Sequence, residues 1–305
     1  MTQTDGGELR ATIERLKDER RAVILVHNYQ IPEVQEIADF LGDSLELSRK
    51  AADTEAEVIV FCGVHFMAET AKLLSPDRTV LLPERTAGCP MADMVNPERL
   101  REAKKAHPGA AVVAYVNTSA ATKAESDICC TSANAVEIVN SVEADEVIFI
   151  PDCHLGTWVQ EHTDKQVILW KGWCPTHQKI LPEFIIRAKE EHPQAAVIVH
   201  GECPAPVRRL ADAVLSTGGM VRYARESDAR EIIVGTEYGM VYRLQKENPD
   251  KQFYQIDSAV CPNMKKTTPA KVAQALEKMQ YQIEIDEDIA ERARGAVERM
   301  LAVRT

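Results

Sequence analysis

Ala103-Lys104-Lys105-Ala106-His107-Pro108-Gly109-Ala110-Ala111-Val112-Val113 recurs as Ala188-Lys189-Glu190-Glu191-His192-Pro193-Gln194-Ala195-Ala196-Val197-Ile198, an offset of 85 residues (188 − 103). Self-similarity this close marks two copies of one structural unit. A third, more diverged copy opens the chain, where Ala22-Val23-Ile24 falls on Ala111-Val112-Val113 at an offset of 89 (111 − 22). Each copy carries a short apolar run rich in β-branched residues, the signature of a strand buried on both faces of a parallel sheet.

Two further strands are expected in each unit. Val58-Ile59-Val60-Phe61, Val147-Ile148-Phe149-Ile150 and Ile232-Ile233-Val234 form one set; Val80-Leu81-Leu82, Val167-Ile168-Leu169 and Phe253-Tyr254-Gln255-Ile256 form the other. Helical spacing joins them, as in Val34, Ile37, Ala38 and Leu41 of the first copy and Ala135, Ile138 and Val139 of the second. Each unit therefore reads strand, helix, strand, helix, strand. The fold class is α/β: three pseudo-symmetric, three-layer αβα units with short parallel sheets around a common central site. The expected boundaries are 1–91 with an N-terminal helix (Leu9, Ile13, Leu16), 92–176, 177–263, and closing helices in 264–305 that pack on the outside. Thr268 before Pro269 is the cap of the first of these, and Ile289, Ala293, Val297 and Met300 stripe the second.

The chain is acidic, with a formal net charge of −11, which argues against a nucleic-acid surface. A negatively charged substrate would need locally arranged donors. The charged N-terminus lacks the apolar run of a signal peptide, and no stretch is apolar for long enough to span a bilayer, so a cytoplasmic protein is expected. In a reducing compartment its 8 cysteines point to metal binding or catalysis rather than to a disulfide framework.

The cysteines are patterned. Cys89-Pro90, Cys174-Pro175 and Cys261-Pro262 are separated by 85 (174 − 89) and 87 (261 − 174) residues. Three thiols from equivalent places are expected to converge on one axis, where, unless they are simply buried cysteines, they suit either an iron-sulfur cube with one open iron or a zinc ion completed by His177; spacing does not choose between the two. Cys203-Pro204 falls off the period and reads as a decoy, while Cys62, Cys129 and Cys130 read as buried small hydrophobes.

The repeat also aligns polar residues. His27 and Tyr29 correspond to Tyr115 and Asn117 (offset 88), and these to His200 and Glu202 (offset 85), all directly after an apolar strand. Ser44, Ser132 and Thr217 align at the same offsets, each near the start of a helix. A lone Ser or Thr there is usually a cap. Three of them around one axis, beside free amides and the positive ends of helix dipoles, form a receptor for a ligand with several anionic groups.

His27-Asn28-Tyr29-Gln30, Gly42-Asp43-Ser44, Phe61-Cys62-Gly63-Val64-His65, Gly88-Cys89-Pro90-Met91, Tyr115-Val116-Asn117-Thr118, Cys130-Thr131-Ser132-Ala133-Asn134, Gly172-Trp173-Cys174-Pro175-Thr176-His177, Val234-Gly235-Thr236-Glu237 and Cys261-Pro262-Asn263-Met264 together resemble the quinolinate synthase family over essentially the whole chain. The resemblance implies a 4Fe-4S cluster on Cys89, Cys174 and Cys261. It implies condensation of iminoaspartate with dihydroxyacetone phosphate to quinolinate, with loss of phosphate and two waters, in de novo NAD biosynthesis. Iminoaspartate would come from an L-aspartate oxidase or dehydrogenase. Carried over position by position, His27, Ser44, Tyr115, Asn117, Ser132, His200, Glu202 and Thr217 contact substrate, with Tyr29 as acid/base and Glu202 as general base. His27 and His200 join the catalytic set, and His177 is a further substrate contact.

Two departures stand out. The family commonly has proline where this chain has Gly201, which bears on how Glu202 is placed, and Met264 stands where some members carry a cysteine of a regulatory disulfide, so no such switch is expected. The rival readings are another iron-sulfur hydro-lyase of a small hydroxy-acid, and a non-enzymatic iron-sulfur or zinc redox sensor.

Overall fold

The structure, a computed structural model, describes residues 3–303. Alternation along the strands explains the layering. In β1 (Ala22–His27) and its neighbour β3 (Val58–Cys62), Ile24, Val26, Val58, Val60 and Cys62 point to one face, whereas Val23, Leu25, Ile59 and Phe61 point to the other, all of them buried. A strand whose two faces are both apolar must be covered on both sides, and helices do so here.

The first unit comprises α1 (Gln3–Arg20), β1, α2 (Pro32–Gln35), β2 (Phe40–Gly42), α3 (Ser44–Asp53), β3, α4 (His65–Leu74) and β4 (Thr79–Leu81). The second runs α5 (Pro97–Ala106), β5 (Ala111–Tyr115), α6 (Ala120–Lys123), β6 (Ile128–Cys130), α7 (Ala135–Ser141), β7 (Glu146–Ile150), α8 (Cys153–Gln160), β8 (Gln166–Leu169). The third runs α9 (Pro182–Glu191), β9 (Ala196–His200), α10 (Ala205–Arg208), β10 (Ala213–Leu215), α11 (Thr217–Glu226), β11 (Glu231–Gly235), α12 (Gly239–Glu247), β12 (Gln252–Gln255). All three sheets are parallel and share one strand order: β2-β1-β3-β4, β6-β5-β7-β8 and β10-β9-β11-β12. Register repeats as well, with His27 opposite Gly42, Tyr115 opposite Cys130, and His200 opposite Leu215.

The second strand of each sheet is a correction to the three-strand reading. Leu41, expected on a helix with Val34, Ile37 and Ala38, lies in β2; the helix is the single turn α2. These strands hold only three residues each, too few for an alternation to register in sequence. Tertiary pairing makes them. Just before each strand an aspartate accepts the amide of the first strand: Ile24 to Asp39 at 2.8 Å, Val112 to Asp127 at 2.7 Å, and Val197 to Asp212 at 2.7 Å. The three aspartates sit at offsets of 88 and 85, so the repeat carried this signal too.

One cluster of buried side chains includes Leu25, Val113 and Ile198 and so runs through all three sheets. The closing helices do more than rest on the surface. From α13 (Pro269–Lys278), Val272, Ala275 and Leu276 complete the outer layer of the first sheet with Ile13 and Leu16 of α1. In α14 (Glu287–Ala302), Ala293, Ala296, Val297 and Met300 are buried against α4, α6 and β6, which bridges the first two units. Thr268 caps α13 by accepting from Lys271 N, and Asp286 caps α14.

Candidate active site

In parallel sheets, ligands collect outside the carboxyl ends of the strands, and here three such ends face one cavity of about 160 Å³. From β1, β5 and β9 come His27, Tyr115 and His200, and the turns after them supply Tyr29, Asn117 and Glu202. Ser44, Ser132 and Thr217 enter from the helix starts, and Cys89, Cys174 and Cys261 from the Cys-Pro loops, so every site residue picked out by the repeat lines this one cavity, as does His177.

His27 and His200 are held identically. The amide two residues on donates to Nδ1, from Tyr29 at 3.2 Å and from Glu202 at 3.2 Å. An Nδ1 that accepts carries no proton, so the proton sits on Nε2 and points away from the main chain. In His200 that Nε2–H donates to Ser132 Oγ at 3.0 Å. Burial disfavours the charged form of both rings, bringing His27 to about 3 and His200 to about 4. Both present a neutral N–H donor at neutral pH.

The capping duty usual for a lone Ser or Thr at a helix start falls to other residues here. Asp43 caps α3, accepting from Leu45 and Glu46, so Ser44 is already inside the helix; Ser216 caps α11, which frees Thr217. In the second unit the Thr131 amide is satisfied by Asn134, again not by Ser132. The residue beside each hydroxyl does the local work. Thr217 Oγ1 accepts from Asn28 Nδ2 at 2.9 Å, which fixes its direction.

A chain of hydrogen bonds crosses the cavity wall. Tyr29 OH meets Thr236 Oγ1 at 2.6 Å, and Thr236 Oγ1 meets His177 Nε2 at 2.8 Å. On its other side His177 Nδ1 reaches Glu202 Oε2 at 2.7 Å, and Tyr115 OH donates to Glu202 Oε1 at 2.6 Å. Burial pushes the Glu202 carboxyl up, but His177 and His200 beside it and the hydrogen bonds it accepts outweigh that, leaving it well below the usual carboxylate range. Burial, with Glu202 nearby, pushes both Tyr29 and Tyr115 well above an ordinary phenol. Thr236 was legible only as part of a motif; nothing in its own spacing gave it this bridging place.

Gly201 does not loosen Glu202. Among the described residues no glycine has a positive φ, and Glu202 is fixed by its amide and by both carboxylate oxygens.

The three thiols share a local fold. Beside each sulfur lies the amide three residues on, of Ala92, His177 and Met264 respectively, in the turn that follows each Cys-Pro, where it favours the thiolate. Amides aimed at sulfur favour thiolate, the form that binds metal. Burial above all, with Glu202 and Cys261 nearby, pushes Cys89 up to about 12, and burial also raises Cys174 and Cys261, so a bound cation would have to offset that cost. Cys174 Sγ, His177 and Glu202 also bring donor atoms within 4.8 Å of one another, a metal-type constellation inside the same cavity. The other five cysteines stay out of it; Cys203 is buried and donates to Gly235 O at 3.3 Å, and Cys62, Cys129 and Cys130 are core residues.

Fold and cavity thus define an α/β protein of three pseudo-symmetric units with a buried thiol, imidazole and carboxylate centre. Residues 11–302 match the family model described as quinolinate synthetase A protein, NadA. The chain is 59% identical over 292 residues to the quinolinate synthase of Dehalococcoides mccartyi, covering 95% of this chain and 97% of that one. It is 57% identical over 290 residues to that of Thermodesulfovibrio yellowstonii (94% and 96%) and 54% identical over 298 residues to that of Methanosarcina barkeri (97% and 98%). The chain belongs to the quinolinate synthetase A family and is an enzyme of that family.

Proposed function

We propose that the chain is a quinolinate synthase of de novo NAD biosynthesis, condensing iminoaspartate with dihydroxyacetone phosphate to quinolinate with loss of phosphate and two waters. The observation that carries this reading is the convergence of three equivalent strand ends, with their hydroxyls and imidazoles, on three equivalent thiols in one cavity. The three units correspond to 1–91, 92–176 and 177–263, with 264–305 closing them. No helix among the described residues is long and apolar enough to cross a membrane, and a cytoplasmic location is part of the proposal, as is supply of iminoaspartate by an L-aspartate oxidase or dehydrogenase.

Cys89, Cys174 and Cys261 would hold a 4Fe-4S cluster. Three soft donors for four irons leave one iron open, and when bound the cluster supplies Lewis-acid polarisation of a substrate oxygen. The protein's own groups do the rest. Ser44, Ser132, Thr217 and the helix starts beside them hold the carboxylates and phosphate, which an acidic chain cannot attract by its overall charge. Nε2–H of His27 and of His200, with Tyr115 and Asn117, fix orientation. Tyr29 gives and takes protons, and its route inward runs over Thr236 to His177 and Glu202. Glu202 serves as the base in combination with His177, because a carboxylate held so far down accepts a proton only as the imidazole and Tyr115 release it.

Anaerobic purification with iron and sulfide analysis, followed by an assay for quinolinate from the two substrates, tests the reading. Stoichiometric iron and sulfide with quinolinate formation is the expected result. Zinc without sulfide, or a cluster without quinolinate, would overturn it in favour of a zinc centre or another hydro-lyase.

A further inference from the structure

Two buried carboxylates that the proposed reaction does not use occupy equivalent places, Glu237 at the cavity wall and Asp152 behind it. Asp152 and Glu237 lie 85 residues apart (237 − 152), and each follows by two residues the strand beside the first strand of its sheet, β7 and β11. Both are 0% exposed, in positions where an unsatisfied carboxylate would be costly. Each is satisfied mainly by main-chain amides. Asp152 Oδ1 accepts from His154 and Leu155, each at 2.8 Å, and Oδ2 accepts from the Cys174 amide at 3.1 Å. Glu237 Oε2 accepts from Gly239 at 2.8 Å, and Oε1 accepts from the Cys261 amide at 3.1 Å.

Glu237 has one more partner. Lys265 Nζ lies 2.9 Å from Oε1 and 3.0 Å from Oε2, and also donates to the Tyr29 carbonyl at 2.5 Å, which ties the Cys261 loop to the turn that carries Tyr29. The first unit lacks the device. Val64 stands at the equivalent place, 88 residues before Asp152, and the Cys89 amide meets no side-chain acceptor among the described residues.

We infer that Asp152 and Glu237 are positioning residues that fix the main chain of the Cys174 and Cys261 loops, and that the Cys89 loop is left as the adjustable third arm. This deepens the reading of the three thiols as one cluster site and rests on it. Groups that orient metal ligands change metal retention when removed, by roughly 10–100-fold, while a residue that served only general stability would affect all three loops alike.

The test uses the isosteric variants Asp152→Asn and Glu237→Gln in the full chain. From the loaded protein, iron should pass to a ferrous chelator roughly 10–100-fold faster than in the parent. In the cluster-free chain, iodoacetamide should modify Cys174 several-fold faster in Asp152→Asn and Cys261 several-fold faster in Glu237→Gln, with Cys89 unchanged in both. Equal acceleration at all three thiols, or none, overturns the inference. Should either variant fail to fold, amide hydrogen exchange in the parent chain decides: protected Cys174 and Cys261 amides beside a fast-exchanging Cys89 amide support it, and equal exchange refutes it. Iron and sulfide content of the parent judges the cluster reading separately, because neither thiol modification nor amide exchange depends on it.

Discussion

The Asp43 carboxylate closes the starts of two helices from different units: Oδ1 caps α3, and Oδ2 accepts from the Gly218 amide of α11 at 3.3 Å. A Cβ on residue 218 would stand 2.6 Å from Asp43 Oδ2, so only glycine lets the two helix starts approach this closely. Ser44 and Thr217 follow Asp43 and Ser216 directly, and their spacing is set by this contact. Gly218→Ala is therefore expected to cost about 1–3 kcal/mol as an overpacked site, read by denaturant unfolding, and to weaken substrate binding more than turnover. A stability within error of the parent would show that Asp43 swings away freely.

Thr236→Val keeps the shape of the side chain and removes the bridge between Tyr29 and His177. Turnover should fall about 100-fold, at the lower end for positioned proton transfer, while the Michaelis constants and the iron content stay near the parent values. A large rise in Michaelis constant with unchanged turnover would place Thr236 in binding instead.

Cys203→Ala and Cys174→Ala separate the off-period thiol from the periodic ones. The first removes a buried sulfur from an apolar cluster and should retain iron and sulfide; the second should lose them. Metal analysis of anaerobically prepared protein reads both, and the reverse pattern would contradict the assignment made by the repeat.

Gly201→Pro should be tolerated. Residue 201 has no positive φ, the preceding His200 is already in a strand, and the nearest obstacle to a Cβ is the tip of the Leu155 side chain at 2.9 Å. Activity within a few-fold of the parent is expected, with a stability gain of up to about 1 kcal/mol through the unfolded chain. A collapse of turnover with folding intact would mean that Glu202 needs the freedom of glycine.

Glu84 gives a pH prediction. Lys271 at 2.5 Å and the amide and hydroxyl of Thr86 hold its carboxyl down at about 2. A carboxyl lowered by folding contributes stability that is fully present above its unfolded value and is lost as pH falls through its folded one. The contribution, about 0–1 kcal/mol for a pair near the surface, should be present at pH 7 and fade between about 4.5 and 2. Unfolding of Glu84→Gln should thus differ from the parent at pH 7 and converge with it near pH 2; a gap that widened on acidification would reverse the sign.

Much of the fold was legible because its signals are local and repeated. Val112 and Val197 announce buried strands through their neighbours alone, and three copies let a weak signal in one unit be checked against the others. The three-residue strands were missed, although Asp39, Asp127 and Asp212 mark them at the right offsets, because their hydrogen bonds are to a distant strand rather than to their own segment. The helix-start hydroxyls were found by alignment and read as lying before their helices, whereas Asp43 and Ser216 hold the cap positions and Ser44 and Thr217 are the first residues inside. One residue decides the difference, and spacing has no such resolution.

Periodic burial and covalent order are written in the chain, and they suffice for three equivalent α/β units, three equivalent thiols and the polar positions at each strand end. Which of these groups touch depends on the packed fold. Tyr115 meets Glu202, His200 meets Ser132, Asn28 meets Thr217, and Tyr29 meets Thr236 across 87, 68, 189 and 207 residues. A hydrogen bond forms only within a few tenths of an ångström of its ideal length, and that placement comes from how the three units pack, which the pattern within any one of them does not specify.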